Sequence, residues 1–396
     1  MSGRPAPRSR RETRAVVLET LLRRGGAFRP HIARDAQLTE ASVSRILAEL
    51  RKEEIVDEIR QPAPYAGGPT ALITLSNNIY VAGIELSNNR LSFSIGDVSG
   101  TIDYVERVPV SPQLDQAEFE RIFTGCLATM GKWTAKRGVS VRQAAFSLPG
   151  YSNANTNPIF PWDMERLRSF LSDTMQGVPL SITNSVIAQA AFHRYSGNSS
   201  YPATGDHLFF FVGHGVAGVI VNESATIEAF SPFELGHMVL ERNGLACRCG
   251  HHGCLEAYTS LRAISKIVGV SETEILQRGD RFLDQLELKA ETREQLRERL
   301  FLLGLGTGNA LNLHPLPSVV ISGWPSLLAP EDRQAIIEGM NESLLGGFDA
   351  KRMQVSFIAP SIGTDPQAAL NYAAYCFVRA GGLDTRAEER HVEENA

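Results

Sequence analysis

The chain begins with a series of short amphipathic segments. Residues 12–24 carry apolar side chains at i, i+4 spacing and end at a pair of glycines, which predicts a first helix. Pro30 suits the first position of a short second helix. Thr39 can cap a third helix, because its hydroxyl can accept a backbone N–H. The apolar stripe of this third helix consists of Val43, Ile46, Leu47 and Leu50.

The opposite face of the third predicted helix carries small polar side chains and an arginine. Two short helices joined by a tight turn, the second with such a face, are typical of helix-turn-helix DNA recognition. Short side chains permit close approach to the major groove, and Arg45 can reach a phosphate or a guanine. The following strand-like segments, EIVDEIR and TALITL, predict a two-stranded wing. The predicted DNA-contacting residues are Thr39, Glu40, Ser42, Ser44, Arg45 and Arg60.

The alternative is a small helical cap built on the same apolar stripes. Gln37 argues weakly against DNA recognition, because glycine is common in this turn. The charge distribution argues for it. Residues 1–34 carry nine arginines and two glutamates, a net charge of +7. Because the whole chain has a net charge of −5, the rest of it carries −12. A basic arm on an acidic protein favours a polyanion partner, although a solvated arm without a partner is also possible.

The pattern changes to alternating strands and helices after residue 77. Three strand-like runs predict an antiparallel meander, and a helix over roughly 115–137 follows. The strands QAAFSLPG and PLSITN and the helix SVIAQAAFHRY complete the unit. The order then recurs with HLFFFV, GVAGVIVN and ATIEAF, several helices, the strand SVVISGW and a closing helix through PQAALNYAAYCFV. This predicts an α/β fold of two similar lobes with a ligand in the cleft between them.

The predicted domain boundaries follow these changes of pattern. They are a basic arm and helix-turn-helix (1–60), a wing and hinge (61–76), a first lobe (77–190), a second lobe (191–382) and a frayed tail (383–396). No apolar run approaches the roughly 20 residues that span a bilayer. The N-terminus lacks the apolar stretch of a secretory signal. We therefore expect a cytoplasmic protein with no membrane partner.

Two glycine-rich segments resemble nucleotide motifs only in form. FVGHGVAG contains G-x-G-x-x-G, but a strand pattern follows the glycines where a dinucleotide site needs a helix. We expect a hairpin there. The glycines of GLGTGNAL lie in a helical pattern and predict close helix packing.

The stretch GHMVLERNGLACRCGHHGCLE carries three thiols as C-x-C-x4-C, with a histidine ten residues upstream of the first. A soft, closed Cys3His donor set suits tetrahedral zinc. A buried cluster of free cysteines or a disulfide is the alternative. The predicted ligands of a structural zinc ion are His237, Cys247, Cys249 and Cys254.

The segments ELGHM and CRCGHHGCLE together resemble the ROK family of sugar kinases and sugar-responsive repressors. The predicted winged helix resembles the repressor branch, and the two lobes resemble the actin-like sugar-kinase fold. The resemblance implies that the Cys3His set is a structural zinc site. It also implies contacts between sugar hydroxyls and side chains of the lobes, together with the segment SLPG that ends at Gly150. The implied ligand-binding residues are Asn184, Ser185, Glu234, His237, Glu256 and Gly150.

Three departures from the kinase pattern argue against catalysis. Ser185 stands where kinase members carry the aspartate that deprotonates the sugar, and losing a general base costs about 10²–10⁴-fold in rate. GIELSNNR replaces the glycine-rich phosphate loop D-x-G-G-T of the first hairpin. Gly213-His214-Gly215 replaces G-T-G in the second. Bulkier residues obstruct the backbone amides that would cradle a phosphate.

We therefore expect a non-enzymatic DNA-binding regulator, a repressor, that binds operator DNA and a carbohydrate effector. A homodimer or a dimer of dimers is the geometric expectation for helix-turn-helix proteins. One alternative is a sugar kinase with an appended DNA-binding domain. Another is a DNA-binding protein that no longer binds sugar, because Ser185 offers one hydroxyl where an aspartate offers two acceptor oxygens.

Overall fold

The computed structural model describes most of the chain in two compact units. One unit takes in Met1–Asn198 and Gly363–Ala396, and the other Ser199–Ile362. The described residues are 9–61, 71–87, 89–111, 113–150, 157, 159–175, 177–195, 201, 205–222, 229–278, 281–346, 353–359 and 366–383. No helix among them is both long enough and apolar enough to cross a bilayer.

The first unit starts with three helices and a small sheet. These elements are α1 (Arg10–Arg24), β1 (Ala27–Phe28), α2 (Arg29–Ala36), α3 (Glu40–Lys52), β2 (Val56–Arg60) and β3 (Ala71–Leu75). The strands form one antiparallel sheet in the order β1-β3-β2. The three predicted helices are confirmed, and Thr39 caps α3 by accepting the N–H of Ser42 at 3.2 Å. The two predicted wing strands are β2 and β3, and the predicted wing tip lies outside the described residues.

The turn between α2 and α3 has a left-handed residue. Gln37 adopts φ 54°, and its N–H donates to the carbonyl of Arg34 at 3.2 Å. A side chain makes this conformation unfavourable, because Cβ approaches the following carbonyl oxygen. The left-handed conformation therefore explains why glycine is common at this position of such turns.

Gln37→Gly should stabilise the N-terminal helices by about 1 kcal/mol, since glycine adopts the left-handed conformation without that contact. The side chain of Gln37 is exposed, so little packing is lost. The measurement is the free energy of opening of the α2 and α3 amides by hydrogen exchange. Gln37→Ala is the control and should stay close to the parent protein, because it keeps Cβ. Equal opening energies for the glycine and alanine variants would contradict the prediction.

The first unit continues with a five-stranded sheet. Its elements are β4 (Tyr80–Ser87), β5 (Arg90–Asp97), β6 (Ile102–Pro109), α4 (Gln116–Arg137), β7 (Val141–Leu148), α5 (Met164–Thr174), β8 (Leu180–Asn184) and α6 (Ser185–Tyr195). The strand order is β6-β5-β4-β7-β8, with an antiparallel meander followed by two parallel strands. The predicted meander, α4, both later strands and α6 are confirmed. Helix α5 was not predicted.

The second unit repeats this topology. Its strands are β9 (His207–Val212), β10 (Val216–Val221), β11 (Phe230–Phe233), β12 (Ser318–Gly323) and β13 (Gln354–Ile358). Their order, β11-β10-β9-β12-β13, matches that of the first sheet position by position. Its helices are α7 (Leu255–Thr259), α8 (Leu261–Val268), α9 (Glu272–Arg278), α10 (Ala290–Leu313) and α11 (Pro330–Ser343). The predicted internal repeat is therefore confirmed.

Three local predictions in the second unit can be compared with the structure. The G-x-G-x-x-G segment forms the antiparallel β9–β10 hairpin, as expected. A Cβ on Gly304 of α10 would lie 1.9 Å from the carbonyl oxygen of Ile336 on α11, which confirms close helix packing. The third strand, predicted over ATIEAF, is instead Phe230–Phe233, and residues 223–228 lie outside the described part of the chain.

The closing helix α12 (Gln367–Arg379) belongs to the first unit, whereas the sequence-based boundary put it in the second lobe. It packs against α1, α6, β4 and β7. A Cβ on Gly83 of β4 would lie 2.3 Å from the backbone nitrogen of Leu370, so strand and helix touch backbone to backbone. The alternation of strands and helices along the sequence does not show that the last helix packs back against the first sheet.

Candidate metal centre and ligand-binding residues

The four predicted metal ligands come together in the second unit. The donor atoms of His237, Cys247, Cys249 and Cys254 all lie within 4.8 Å of one another. Cys249 Sγ lies 3.7 Å from Cys254 Sγ, and Cys247 Sγ lies 3.7 Å from His237 Nδ1. Two thiolates bound tetrahedrally at about 2.3 Å from a zinc ion would be about 3.8 Å apart. Three sulfurs and one imidazole nitrogen at these separations fit a tetrahedral metal ion.

Backbone hydrogen bonds fold the cysteine segment into this arrangement. His237 ends a 3-10 turn over Leu235–His237. Cys254 is bridged to Val239, which brings the last thiol back beside that turn. Gly253 adopts φ 77°, and a Cβ there would lie 1.6 Å from a backbone oxygen of the same loop. The glycine between the last histidine and the last cysteine is therefore required by the backbone path.

The thiols differ in their surroundings. Burial raises the pKa of Cys254 to about 12. Burial acts to raise the pKa of Cys249, but hydrogen bonds with the backbone and side chain of His251 and with the thiols of Cys247 and Cys254 together lower this pKa to about 6. The ring nitrogen Nδ1 of His251 lies 3.6 Å from Cys249 Sγ. One cysteine of the cluster thus favours the thiolate, the form that binds metals.

Three predicted ligand residues of the second unit adjoin the metal cluster in the chain. Glu234 is exposed and immediately precedes the 3-10 turn that ends at His237. Glu256 lies in the first turn of α7, just after Cys254. Its Oε2 accepts the N–H of Val216 at 3.0 Å, which ties α7 to the start of β10. The cluster and the two carboxylates therefore share one short stretch of backbone.

The other three predicted ligand residues lie together in the first unit. Asn184 ends β8 and Ser185 begins α6, while Gly150 lies two residues beyond β7, the parallel neighbour of β8. The Oδ1 of Asn184 accepts the N–H of Val186 at 3.2 Å and caps α6. The hydroxyl of Ser147 lies 3.2 Å from that of Ser185. All three residues therefore meet at the carboxyl ends of β7 and β8.

Asn157 also lies in this region and is not among the residues predicted from the sequence. Its side chain is buried, donates to the carbonyl of Pro149 at 3.0 Å, and accepts the N–H groups of Ile159 and Phe160 at 2.8 and 3.0 Å. It fixes the backbone beside Gly150, whose φ is 68°. Other asparagines stand nearby in the sequence, so no local pattern distinguished this one.

Comparison with known proteins relates most of the chain to one family. Residues 81–366 match the profile of the ROK family. The chain belongs to the ROK family. It is 25% identical over 317 residues to the xylose repressor of Bacillus spizizenii strain W23, covering 77% of this chain and 80% of that one. It spans 65% of the length of YphH, an uncharacterized protein of Escherichia coli K12, and is 25% identical to it over 267 residues.

Solved structures extend the likeness of this ROK protein to nearly the whole chain. A ROK family transcriptional regulator, a homolog of the Escherichia coli MLC protein, superposes with a TM-score of 0.70. The superposition covers 94% of this chain and 97% of that one at 17% identity. At this identity the likeness concerns the fold, and it includes the N-terminal helices as well as the two repeated sheets.

Charged side chains lie at or near the first hairpin of each repeated sheet. His214, at the tip of the β9–β10 hairpin, contacts the carboxylate of Glu272 on α9 through its Nδ1. Arg262 Nε lies 3.9 Å from the same carboxylate. In the first hairpin Glu85 is buried on β4. A carboxylate thus lies on the first strand of the first hairpin and another lies beside the tip of the second.

Five of the six predicted DNA-contacting residues lie at the N-terminal cap or in the first half of α3, and the sixth, Arg60, ends β2. Ser44 and Arg45 of α3 are exposed, as is Arg60 at the end of β2. Within the part of the chain that the structure describes, Arg45 makes no ion pair. Part of the positive charge of the predicted basic arm is paired with carboxylates of the same domain. Among the described residues up to position 34, ion pairs are formed by Arg10, Arg14, Arg24, Arg29 and Arg34.

Proposed function

We propose that this protein is a sugar-responsive transcriptional repressor that binds operator DNA through its N-terminal domain. The observation that carries the proposal is the polar face of α3. Its exposed Arg45 makes no ion pair with any described residue, while five of the arginines before it are neutralised within the domain. The similarity to a xylose repressor supports the same function.

In this proposal α2, α3 and the β2–β3 pair act as a winged helix-turn-helix. The N-terminal end of α3 enters the major groove, and Thr39, Glu40, Ser42, Ser44 and Arg45 lie at or near that end. Arg60 on the wing contacts the DNA backbone. A homodimer, or a dimer of dimers, places two such helices on half-sites roughly 34 Å apart.

The metal ion that we propose for the cluster is structural zinc. All four tetrahedral positions are filled by protein donors, so no position is open for a reactant. Because Nδ1 of His237 faces the thiols, its Nε2 is left to donate a hydrogen bond to a ligand. Zinc would hold Glu234, His237 and Glu256 in place without taking part in a reaction.

We also propose that the ligand-binding residues no longer catalyse phosphoryl transfer. Ser185 has no group that ionises near neutral pH to accept a sugar proton. The carboxylate of Glu85 on β4 would repel the phosphates of ATP bound against the first hairpin. Asn184, Ser185 and Gly150 in the first unit can offer directed hydrogen bonds to sugar hydroxyls, and so can Glu234, His237 and Glu256 in the second.

The test starts from a DNA duplex selected by the protein from a random library. Its dissociation constant is measured by fluorescence anisotropy with and without D-xylose, D-glucose and N-acetyl-D-glucosamine. We expect one of these sugars to weaken duplex binding about fivefold or more, and the duplex to weaken binding of that sugar by the same factor. Equal sugar affinity with and without the duplex would rule out the regulatory mechanism, and phosphate transfer from ATP to any of the sugars would establish a kinase.

Arg45→Ala should weaken binding of the selected duplex by about tenfold and relax its base preference, because a bidentate contact to a guanine is lost. Arg121→Ala is the matched control, since Arg121 is an exposed arginine on α4 and lies outside the N-terminal domain. The two variants are compared in the same anisotropy assay. Equal affinities for both would remove α3 from the proposed DNA interface.

A further inference from the structure

One carboxylate of the N-terminal domain is held by two helices that close the first unit. Glu19 of α1 has a side chain only 18% exposed. The hydroxyl of Tyr195, at the end of α6, donates to its Oε1 at 2.9 Å. Arg194 Nη2 lies 3.7 Å from the same oxygen, and Arg379 Nη1 of α12 lies 3.8 Å from Oε2. Glu19 is therefore shared between α6 and α12.

A second contact fixes α12 to the N-terminal domain independently of α6. Arg14 Nε donates to the carbonyl oxygen of Gly381 at 2.9 Å. Gly382 adopts φ 71°, and a Cβ there would lie 2.9 Å from Ile55 Cδ1. Because β4 and α12 touch backbone to backbone at Gly83, α12 has no space to slide over the sheet. The α12 side of the Glu19 contact is thus the fixed side.

Helix α6 joins the other side of this contact to the proposed ligand residues. It begins at Ser185, directly after its cap Asn184, and ends at Tyr195. Ten residue steps along a helix span about 15 Å. The ring of Tyr195 stacks on Tyr375 of α12 at 5.5 Å. A displacement at the start of α6 is carried along a stiff element to the hydroxyl that holds Glu19.

We propose that Glu19 is the positioning residue that sets the orientation of the DNA-binding domain, and that α6 transmits changes at Asn184 and Ser185 to it. The inference rests on the proposed function, since it describes how ligand binding would reach α3. In this proposal the carboxylate changes between the observed arrangement, in which both helices hold it, and a second one, in which Arg379 alone holds it after Tyr195 and Arg194 withdraw. A ligand that favours one arrangement shifts the orientation of α1, against which α2 and α3 pack.

The test is a double-mutant cycle that needs no sugar. Asn184→Ala removes the cap of α6, and Tyr195→Phe removes only the hydroxyl that donates to Glu19. The two side chains lie at opposite ends of α6, so their effects should add within about twofold unless the helix couples them. The readouts are the dissociation constant for the selected duplex and the hydrogen-exchange rates of the α1 amides.

We expect Asn184→Ala to change both readouts by about tenfold, and to change them by less than about twofold when Tyr195→Phe is also present. Tyr80→Phe is the matched control, because it removes another tyrosine–carboxylate hydrogen bond, to Asp103 at 2.9 Å, in the same unit. Asn184→Ala should keep its full effect in that background.

Additive effects of Asn184→Ala and Tyr195→Phe in both readouts would overturn the inference. So would a loss of the Asn184→Ala effect in the Tyr80→Phe background, because general destabilisation would then be the cause. The sugar panel is judged separately. If no sugar alters duplex binding by the parent protein while the cycle is non-additive, the proposed sugar response fails and the coupling through α6 stands.

Discussion

Replacing Cys249 by serine is expected to release the metal ion from the Cys3His cluster and to unfold the loop around it. Cys249 is only half-buried, so in a protein without a metal this substitution would be nearly neutral. With a metal bound, the loss of one thiolate leaves three donors at a site that needs four. We expect the free energy of unfolding of the second unit to fall by about 3–5 kcal/mol.

The measurement for Cys249→Ser is the metal content by mass spectrometry together with thermal unfolding with and without a chelator. The parent protein should carry one metal ion per chain and lose stability in chelator, while the variant should carry none and be insensitive to chelator. Arg248→Ser is the control, because Arg248 is exposed and lies between two ligands without contributing a donor. A full metal content in Cys249→Ser would refute the ligand assignment.

Arg14→Ala should destabilise the N-terminal domain, because it breaks a buried ion pair. Arg14 is 1% exposed, forms two hydrogen bonds with Glu53 at 2.8 and 2.5 Å, and donates to Gly381. Breaking a fully buried ion pair costs about 3–5 kcal/mol. Because the side chain of Glu53 is 40% exposed and can be rehydrated, we expect a smaller loss of about 2–3 kcal/mol. Arg10→Ala is the control, since Arg10 is 76% exposed in its pair with Glu49 and should cost less than about 1 kcal/mol.

The same pair predicts a dependence of stability on pH. The hydrogen bond from Arg14 lowers the pKa of Glu53 below its usual 4.5, against the opposing effect of burial. A carboxyl group whose pKa is lower in the folded than in the unfolded chain stabilises the fold above the unfolded pKa. This contribution is therefore complete above about pH 4.5 and is lost as the pH falls through the folded value. Acid titration of stability should show this step in the parent protein and in Arg10→Ala, and not in Arg14→Ala; the same step in all three would contradict it.

Local periodicity explains what could be predicted from the sequence. Three predicted features depend only on residues that are close together in the sequence, and the structure contains each of them. They are the apolar stripe of α3, the meander strands and the spacing of Cys247, Cys249 and Cys254. Strand β1 has two residues, too few for any period to show. Helix α5 lies between two predicted strands and is not itself predicted, although Leu167 and Leu171 have a helical spacing.

The rest depends on contacts between residues far apart in the chain. In the sequence, Arg14 is one positive charge of the predicted basic arm. In the structure it is buried and paired with Glu53, which lies 39 residues away along the chain. The first unit is completed by α12, whose contacts with α1 join the two ends of the chain. Neither charge totals nor periodicity identify such partners, because both describe neighbours along the sequence.

The return of α12 to the first sheet sets an order of events during synthesis. Strands β4 and β7 and helix α1 leave the ribosome early, but the helix that covers them follows more than two hundred residues later. Until α12 has been synthesised, the apolar surface of these elements stays exposed to solvent. Nascent chains with such exposed surface aggregate or bind chaperones. A chain released before α12 would contain helices α1, α2 and α3 but not the helix that packs against α1. Only translation through α12 completes the unit on which these N-terminal helices rest.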